Sequence, residues 1–316
     1  MRLTHLFDAQ PLPIVIEPDA RDDHSLGDWI DANKTQLQAE LLRVGGLLFR
    51  GFPVDSPARF REVVERFETN LLAYVSGNSP RTAIEDKIYT STEIPPARTI
   101  PIHNELSYSA AWPARIFFFC LIAPEDRGET PIVDSRRVLA RLAPHTRDKF
   151  EQLGVRYIQT FHGGTGAVGK SWQAAFETED RATVEELCRE RQIAWEWLPT
   201  GGLRLIHHRP ATATHPITGE RVWFNQADLW HPASLAPATR KALPAALAKI
   251  ELPNHACFGD GSEIGASELA DIRQAHEAEQ VVFPWRTNDV LVLDNMLVGH
   301  GRRPFSGPRR ILVAMG

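Results

Sequence analysis

The chain has few of the residues that cross-link a protein or anchor it in a membrane. Its 316 residues include three cysteines, Cys120, Cys188 and Cys257, none spaced as CxxC. That excludes a zinc ribbon or a disulfide framework and fits a reducing compartment. The longest apolar run, Ile116 to Ala123, is far short of the ~20 residues that span a bilayer. Met1-Arg2-Leu3-Thr4-His5 lacks the apolar core of a signal peptide, so the cytoplasm is the expected location and no membrane partner is expected. Neither sign of charge dominates: 35 Lys and Arg face 40 Asp and Glu, for a net charge of −5. Nothing in that balance draws the chain to nucleic acid. Repeats and low-complexity tracts are absent too. What remains is ordinary globular material, 43% hydrophobic and 24% charged, long enough to bury a large core.

Helical spacing is expected over 28–42, ended by Gly45-Gly46. Ser56-Pro57 then reads as an N-cap with proline at the first helical position, followed by Phe60, Val63, Val64, Phe67 and Leu71 on one face. Leu47 to Phe52 and Arg115 to Leu121 read as buried strands, the second apolar on both faces. Further helices are expected at 135–153, 180–192, 235–249 and 267–278, the last capped by Ser267; residues 155–178 read as less regular. Strands are expected at 203–208, 221–225, 281–285, 290–293 and 309–315. Many short strands with helices gathered in blocks predict a mixed α+β chain. Its core would be a double-stranded β-helix, or jelly roll, decorated with helices. A single domain over 1–316 is expected, with helical insertions around 135–200 and 232–280.

The chemistry centres on Ile100-Pro101-Ile102-His103-Asn104-Glu105-Leu106-Ser107-Tyr108. If this segment is a strand, His103 and Glu105 point the same way and can share a metal ion. Alone the pair means little, because a chain with twelve histidines and 40 acidic residues holds about one such pair by chance. A third ligand gives it meaning. His300 follows Asp294-Asn295 just beyond a strand, and Arg310 comes ten residues later. Two histidines and one carboxylate on one face of an ion, with three positions open, suit Fe(II) that must admit a cosubstrate and O2. A guanidinium nearby matches the distal carboxylate of 2-oxoglutarate through two parallel charge-assisted hydrogen bonds. Strand alternation is read here as turning Arg310 inward and Arg309 outward.

These blocks, with Trp112-Pro113, Gly128-Glu129-Thr130-Pro131, Asp134-Ser135-Arg136 and Gly307-Pro308-Arg309-Arg310, resemble the taurine dioxygenase/TfdA family of Fe(II)- and 2-oxoglutarate-dependent oxygenases. The likeness is greatest to its SyrP-like and clavaminate-synthase-like members. The resemblance implies His103, Glu105 and His300 as iron ligands, Arg310 as the cosubstrate arginine, and Thr130 as its partner on the distal carboxylate. Taurine-specific members carry a sulfonate-binding arginine four residues beyond the cosubstrate arginine. Ala314 stands there, which argues against a sulfonate substrate. Halogenating relatives replace the metal carboxylate with a small residue, and Glu105 argues instead for oxygen insertion.

The substrate implied is an amino acid, an amino-acid derivative or an aminoacyl group on a carrier protein. Arg98, Asn104, Asn225 and Gln226, polar groups near expected strand ends, are the candidates to line its pocket. Hydroxylation of an unactivated C–H bond is the expected outcome, with desaturation, epoxidation or cyclisation as alternatives on the same site. A non-catalytic jelly-roll binding protein would have no need of the full ligand set. A cupin-like isomerase or hydrolase would have no use for the arginine. His207-His208 must face opposite ways on a strand, and both, like His215, are read as structural.

Overall fold

Alternation along the strand Arg115–Ile122 sets the layering. Phe117 and Phe119 face one side and Ile116, Phe118 and Cys120 the other, with none more than 5% exposed. A strand apolar on both faces has to be covered on both. In the computed structural model, which describes residues 1–7, 10–19, 25–72, 81–91, 94–164, 169–235 and 252–316, it lies inside an eight-stranded sheet. The order is Arg2–Phe7, Gln10–Glu17, Gly46–Phe49, Val290–Asp294, Arg115–Ile122, Arg310–Met315, Ile88–Thr90 and Ala83–Glu85.

On one face Phe117, Phe119, Val290, Val292, Leu312 and Ala314 pack with residues of the helices Leu26–Ala32, Lys34–Val44 and Pro57–Phe67. The last helix forms as its sequence dictates. Ser56 Oγ accepts from the Arg59 N–H, Pro57 opens the first turn, and Phe60, Val63, Val64 and Phe67 are buried. Phe60 stacks on Phe119 with ring centroids 5.3 Å apart. Burial of one such ring contributes roughly 2–3 kcal/mol. On the opposite face Phe118, Leu291, Leu293, Ile311 and Val313 pack with Leu297, Val298, Phe283 and Trp285. This joins the large sheet to a three-stranded sheet ordered Ile100–His103, Val298–Arg302, Ile132–Asp134. The two layers form the jelly roll, and the candidate site lies between them.

Arg50 ties the large sheet to the turn before Val290. Its guanidinium forks onto Asp289, 2.6 Å from Nη2 to Oδ2 and 3.0 Å from Nε to Oδ1, with both side chains buried.

Several expectations are corrected. The 28–42 helix breaks at Asn33, whose Nδ2 donates to the Trp29 carbonyl and whose φ of −113° leaves the helical range. Asparagine competes for its own backbone in this way. Residues 155–178 begin with a regular strand, Val155–Phe161, pairing with Leu203–Arg209 and Asn254–Phe258. Stretch 135–200 therefore carries strands as well as helices. In 281–285 only Val281 pairs, with Ile132; Pro284 has no N–H for a ladder. The 267–278 helix runs Ala266–Glu279 and is capped by Gly265, not Ser267. Most of the helix expected at 235–249 falls outside the described residues. Among the described residues no helix is long and apolar enough to cross a membrane.

Candidate active site

His103 closes the strand Ile100–His103 and pairs directly with His300 on Val298–Arg302, bringing the two rings within 4.5 Å, centroid to centroid. Glu105 is not on that strand. The chain turns immediately after His103, with Leu106 at φ +54°, so strand alternation does not aim the carboxylate. The turn does. Even so, ligand atoms of His103, Glu105 and His300 all lie within 4.8 Å of one another, which fits three donors around one ion.

Asn295 holds that turn. Its Oδ1 accepts from the Glu105 N–H at 2.7 Å, and its Nδ2 donates to the Glu105 carbonyl at 3.0 Å and the Pro113 carbonyl at 2.9 Å. Asn295 is itself fixed by the turn after Val290–Asp294, where Asp294 Oδ1 accepts from the N–H groups of Met296 and Leu297. His215 Nε2 donates to Asp294 Oδ2 at 3.1 Å, and its Nδ1 accepts from Thr218 N–H. The structural reading of His215 agrees with this.

The imidazoles are prepared for metal. Pro101 O, which can only accept, sits 2.9 Å from His103 Nδ1, so that nitrogen carries the proton and Nε2 presents its lone pair. Burial holds His103 below the ordinary histidine range and His300 well below it. Both are therefore neutral near pH 7, the form a metal needs. His300 Nδ1 is buried and has no hydrogen-bond partner among the described residues. Glu105 supplies the single negative charge, its Oε2 lying 3.0 Å from Arg81 Nη2. This donor set fits Fe(II).

Two cavities meet at this wall. The smaller, about 80 Å³, is bordered by His103, His300, Thr130, Arg81, Arg302 and Arg309. The larger, about 270 Å³, is bordered by His103 and Glu105 together with Tyr108, Leu229, Trp230 and His231. Arg310 reaches neither: it is exposed, and the inward direction expected for it is wrong. Ile311, Val313 and Met315 face the site layer while Leu312 and Ala314 face the other core, so the odd-numbered Arg309 is the inward arginine. Its Nε donates to Gly128 O at 2.8 Å. Burial and the neighbouring Arg302 push its pKa down to about 10, which leaves it charged. Thr130 is buried, and its Oγ1 accepts from Trp285 Nε1 at 3.1 Å, so its own O–H remains a donor. Arg302 is spent on the carbonyls of Ile94, Pro95 and Arg98.

The expected substrate residues divide. Arg98 is exposed on the rim of the larger cavity. Gln226 lines it, but its Nε2 donates to Asn104 O and its Oε1 accepts from Trp230 Nε1. Asn104 and Asn225 line neither cavity. Asn104 Nδ2 donates to Asn295 O and Ser135 Oγ, and Asn225 bridges Ala211 O and Ala227 N–H. Both brace the backbone, as buried amides commonly do. Sequence reasoning assigned no role to Asn295 or Arg81. Adjacency to the Asp294 turn was the one signal available for Asn295, and Arg81 had none. His207 is buried against Tyr108 while His208 is exposed, as alternation requires.

The sequence profile described as "Taurine catabolism dioxygenase TauD, TfdA family" matches residues 8–315. The chain is 40% identical over 318 aligned residues to the dapdiamide synthesis protein DdaC of Enterobacter agglomerans, covering 99% of this chain and 95% of that one. It is 33% identical to a clavaminate synthase-like protein of Arabidopsis thaliana, covering 98% and 94%. Among solved structures, PvcB, described as an Fe, alpha-ketoglutarate dependent oxygenase from an isonitrile synthetic pathway, aligns with TM-score 0.53 at 16% identity, over 96% of this chain and 84% of that one. The chain belongs to the TauD/TfdA family and is an Fe(II)- and 2-oxoglutarate-dependent dioxygenase with the jelly-roll fold.

Proposed function

We propose that this dioxygenase hydroxylates an unactivated C–H bond of an amino acid, an amino-acid derivative or a carrier-bound aminoacyl group. His103, Glu105 and His300 would hold Fe(II), and Arg309 with Thr130 would anchor the distal carboxylate of 2-oxoglutarate. The supporting observation is the convergence of the three donors on the wall between two cavities. One is small and bordered by arginine and threonine; the other is larger and bordered by Leu106, Tyr108, Leu229 and Trp230 along with polar groups. With the cosubstrate and O2, the iron supplies C–H oxidation coupled to loss of CO2 and formation of succinate. The protein's own part is positioning. Arg309 and Thr130 fix the cosubstrate end on, and Leu229 and Trp230 exclude water beside the target carbon. Val313, four residues beyond Arg309, is apolar and buried, which again speaks against a sulfonate. The name of DdaC, a dapdiamide synthesis protein, supports a biosynthetic role.

The test is aerobic incubation with Fe(II), 2-oxoglutarate and a panel of free, N-acylated and carrier-bound amino acids, following succinate and product mass. A gain of one oxygen atom with matched succinate is expected. Loss of two hydrogen atoms would replace hydroxylation by desaturation or ring closure. A panel that yields no substrate-dependent succinate would remove the proposed substrate class.

A further inference from the structure

The smaller cavity holds a cation that the proposed roles do not use. Arg81 borders it together with Arg309, and its side chain is only 6% exposed. Its Nη2 lies 3.0 Å from Glu105 Oε2, and its Nη1 lies 3.6 Å from the thioether sulfur of Met315. The guanidinium therefore stands one hydrogen bond from the metal-donor set, while Arg309 stands beside Gly128 and Thr130. Its charge also helps to hold both imidazoles below their ordinary range. A buried arginine is costly to desolvate unless it meets an anion of matching geometry.

We infer that Arg81 is the counter-charge for the 2-oxo-acid end of the cosubstrate, so that two arginines, Arg81 and Arg309, bind the opposite carboxylates of one dianion. This rests on the reading of the small cavity as the cosubstrate chamber. The physical argument is a charge balance around Glu105. Without metal, Arg81 neutralises that carboxylate. A divalent cation on Glu105 puts two positive groups on one carboxylate, and the arginine then opposes metal binding. An anion bound beside the metal relieves the opposition, since it adds a negative charge next to the guanidinium that borders this cavity. Arg81 thus weakens the site for the bare ion and strengthens it for the ion with its 2-oxo acid, which favours ordered loading.

Two opposite signs make this testable by binding alone. Mn(II) is titrated into the full chain, and then 2-oxoglutarate or 2-oxopentanoate, which lacks the distal carboxylate, into the Mn(II)-loaded protein. Calorimetry and the fluorescence of Trp285, bonded to Thr130 at the cavity wall, both report binding. Arg81→Gln is expected to bind Mn(II) more tightly, yet to weaken both acids by a similar factor, on the order of ten- to a hundredfold for a charge-assisted contact. Arg309→Gln is expected to weaken 2-oxoglutarate and leave 2-oxopentanoate nearly unchanged. Arg81→Lys, which keeps the charge and most of the stem, should weaken both acids by less and serves if the glutamine variant does not fold. Wild-type acid binding in either Arg81 variant overturns the inference, as does loss confined to 2-oxoglutarate. Failure of the wild-type protein itself to bind 2-oxoglutarate would instead remove the chamber reading beneath it.

Discussion

Asn295→Ala is expected to damage stability and metal binding together, because one side chain carries the turn that delivers Glu105. Truncation removes three buried hydrogen bonds, of 2.7, 2.9 and 3.0 Å. It strands the Glu105 N–H and the carbonyls of Glu105 and Pro113. An unsatisfied buried donor costs about 1–3 kcal/mol and a carbonyl, with two lone pairs, somewhat less. The sum is about 3–5 kcal/mol. With an unfolding entropy of about 2.1 cal/mol/K per residue over 316 residues, that lowers Tm by roughly 5–8 °C. Freed from its clamp, the Glu105 backbone samples positions in which its carboxylate misses the ion. Partners of this kind usually contribute about ten- to a hundredfold in metal affinity.

Urea unfolding of the metal-free protein and Mn(II) titration of the folded protein read the two effects separately. Asn225→Ala is the control, since it breaks two comparable bonds, of 2.8 and 3.0 Å, with no contact to Glu105. It should cost stability and leave Mn(II) affinity within about twofold, given that distant sites act independently. Asn295→Asp should be at least as harmful as alanine, because a carboxylate oxygen would then face two carbonyl oxygens. If Asn295→Ala unfolds within about 1 kcal/mol of wild type, or if it and the Asn225 control lose metal affinity equally, the clamp argument is wrong.

Other outcomes follow from the same geometry. Arg309→Gln should raise the Kd for 2-oxoglutarate about ten- to a hundredfold, whereas Arg310→Gln should leave it unchanged; the reverse result would restore the discarded parity. Acid should destabilise the metal-free protein. Burial lowers His207 and His276 to about 4, so between pH 6.5 and 4 the unfolded chain binds protons that the folded chain refuses. Stability present at neutral pH is lost across that window, about 3 kcal/mol per histidine by pH 4, and urea midpoints measured across it check the sign. Arg50→Ala should cost about 3–5 kcal/mol by leaving Asp289 buried and unpaired, while Arg50→Ala with Asp289→Asn should recover part of it in the same unfolding assay.

The legible parts of the sequence were those in which one periodicity decided the structure. Phe60, Val63, Val64 and Phe67 announced a helix face, and the apolar run from Ile116 announced a strand covered on both sides; both are buried as expected. The candidate ligands were legible as residue types, but the reason they converge was not. Glu105 is aimed by a turn whose anchor, Asn295, lies 190 positions away, and local alternation does not encode such a bond. The arginine pair shows the limit most plainly. Alternation says that only one of Arg309 and Arg310 faces the site, and says nothing of which, until a residue of known direction fixes the parity. Val313 supplies it: it pairs with Phe118, whose ring packs 5.1 Å from that of His300, centroid to centroid. The register shift between Arg310 and Ile311 falls on the partner strand, where Ile122 and Cys120 are the successive partners and Leu121 is skipped. The arginine strand therefore keeps its period of two from Val313 back through Ile311 to Arg309. A single long-range pairing thus determines which guanidinium faces the small cavity, and substituting one arginine at a time tests the pairing itself.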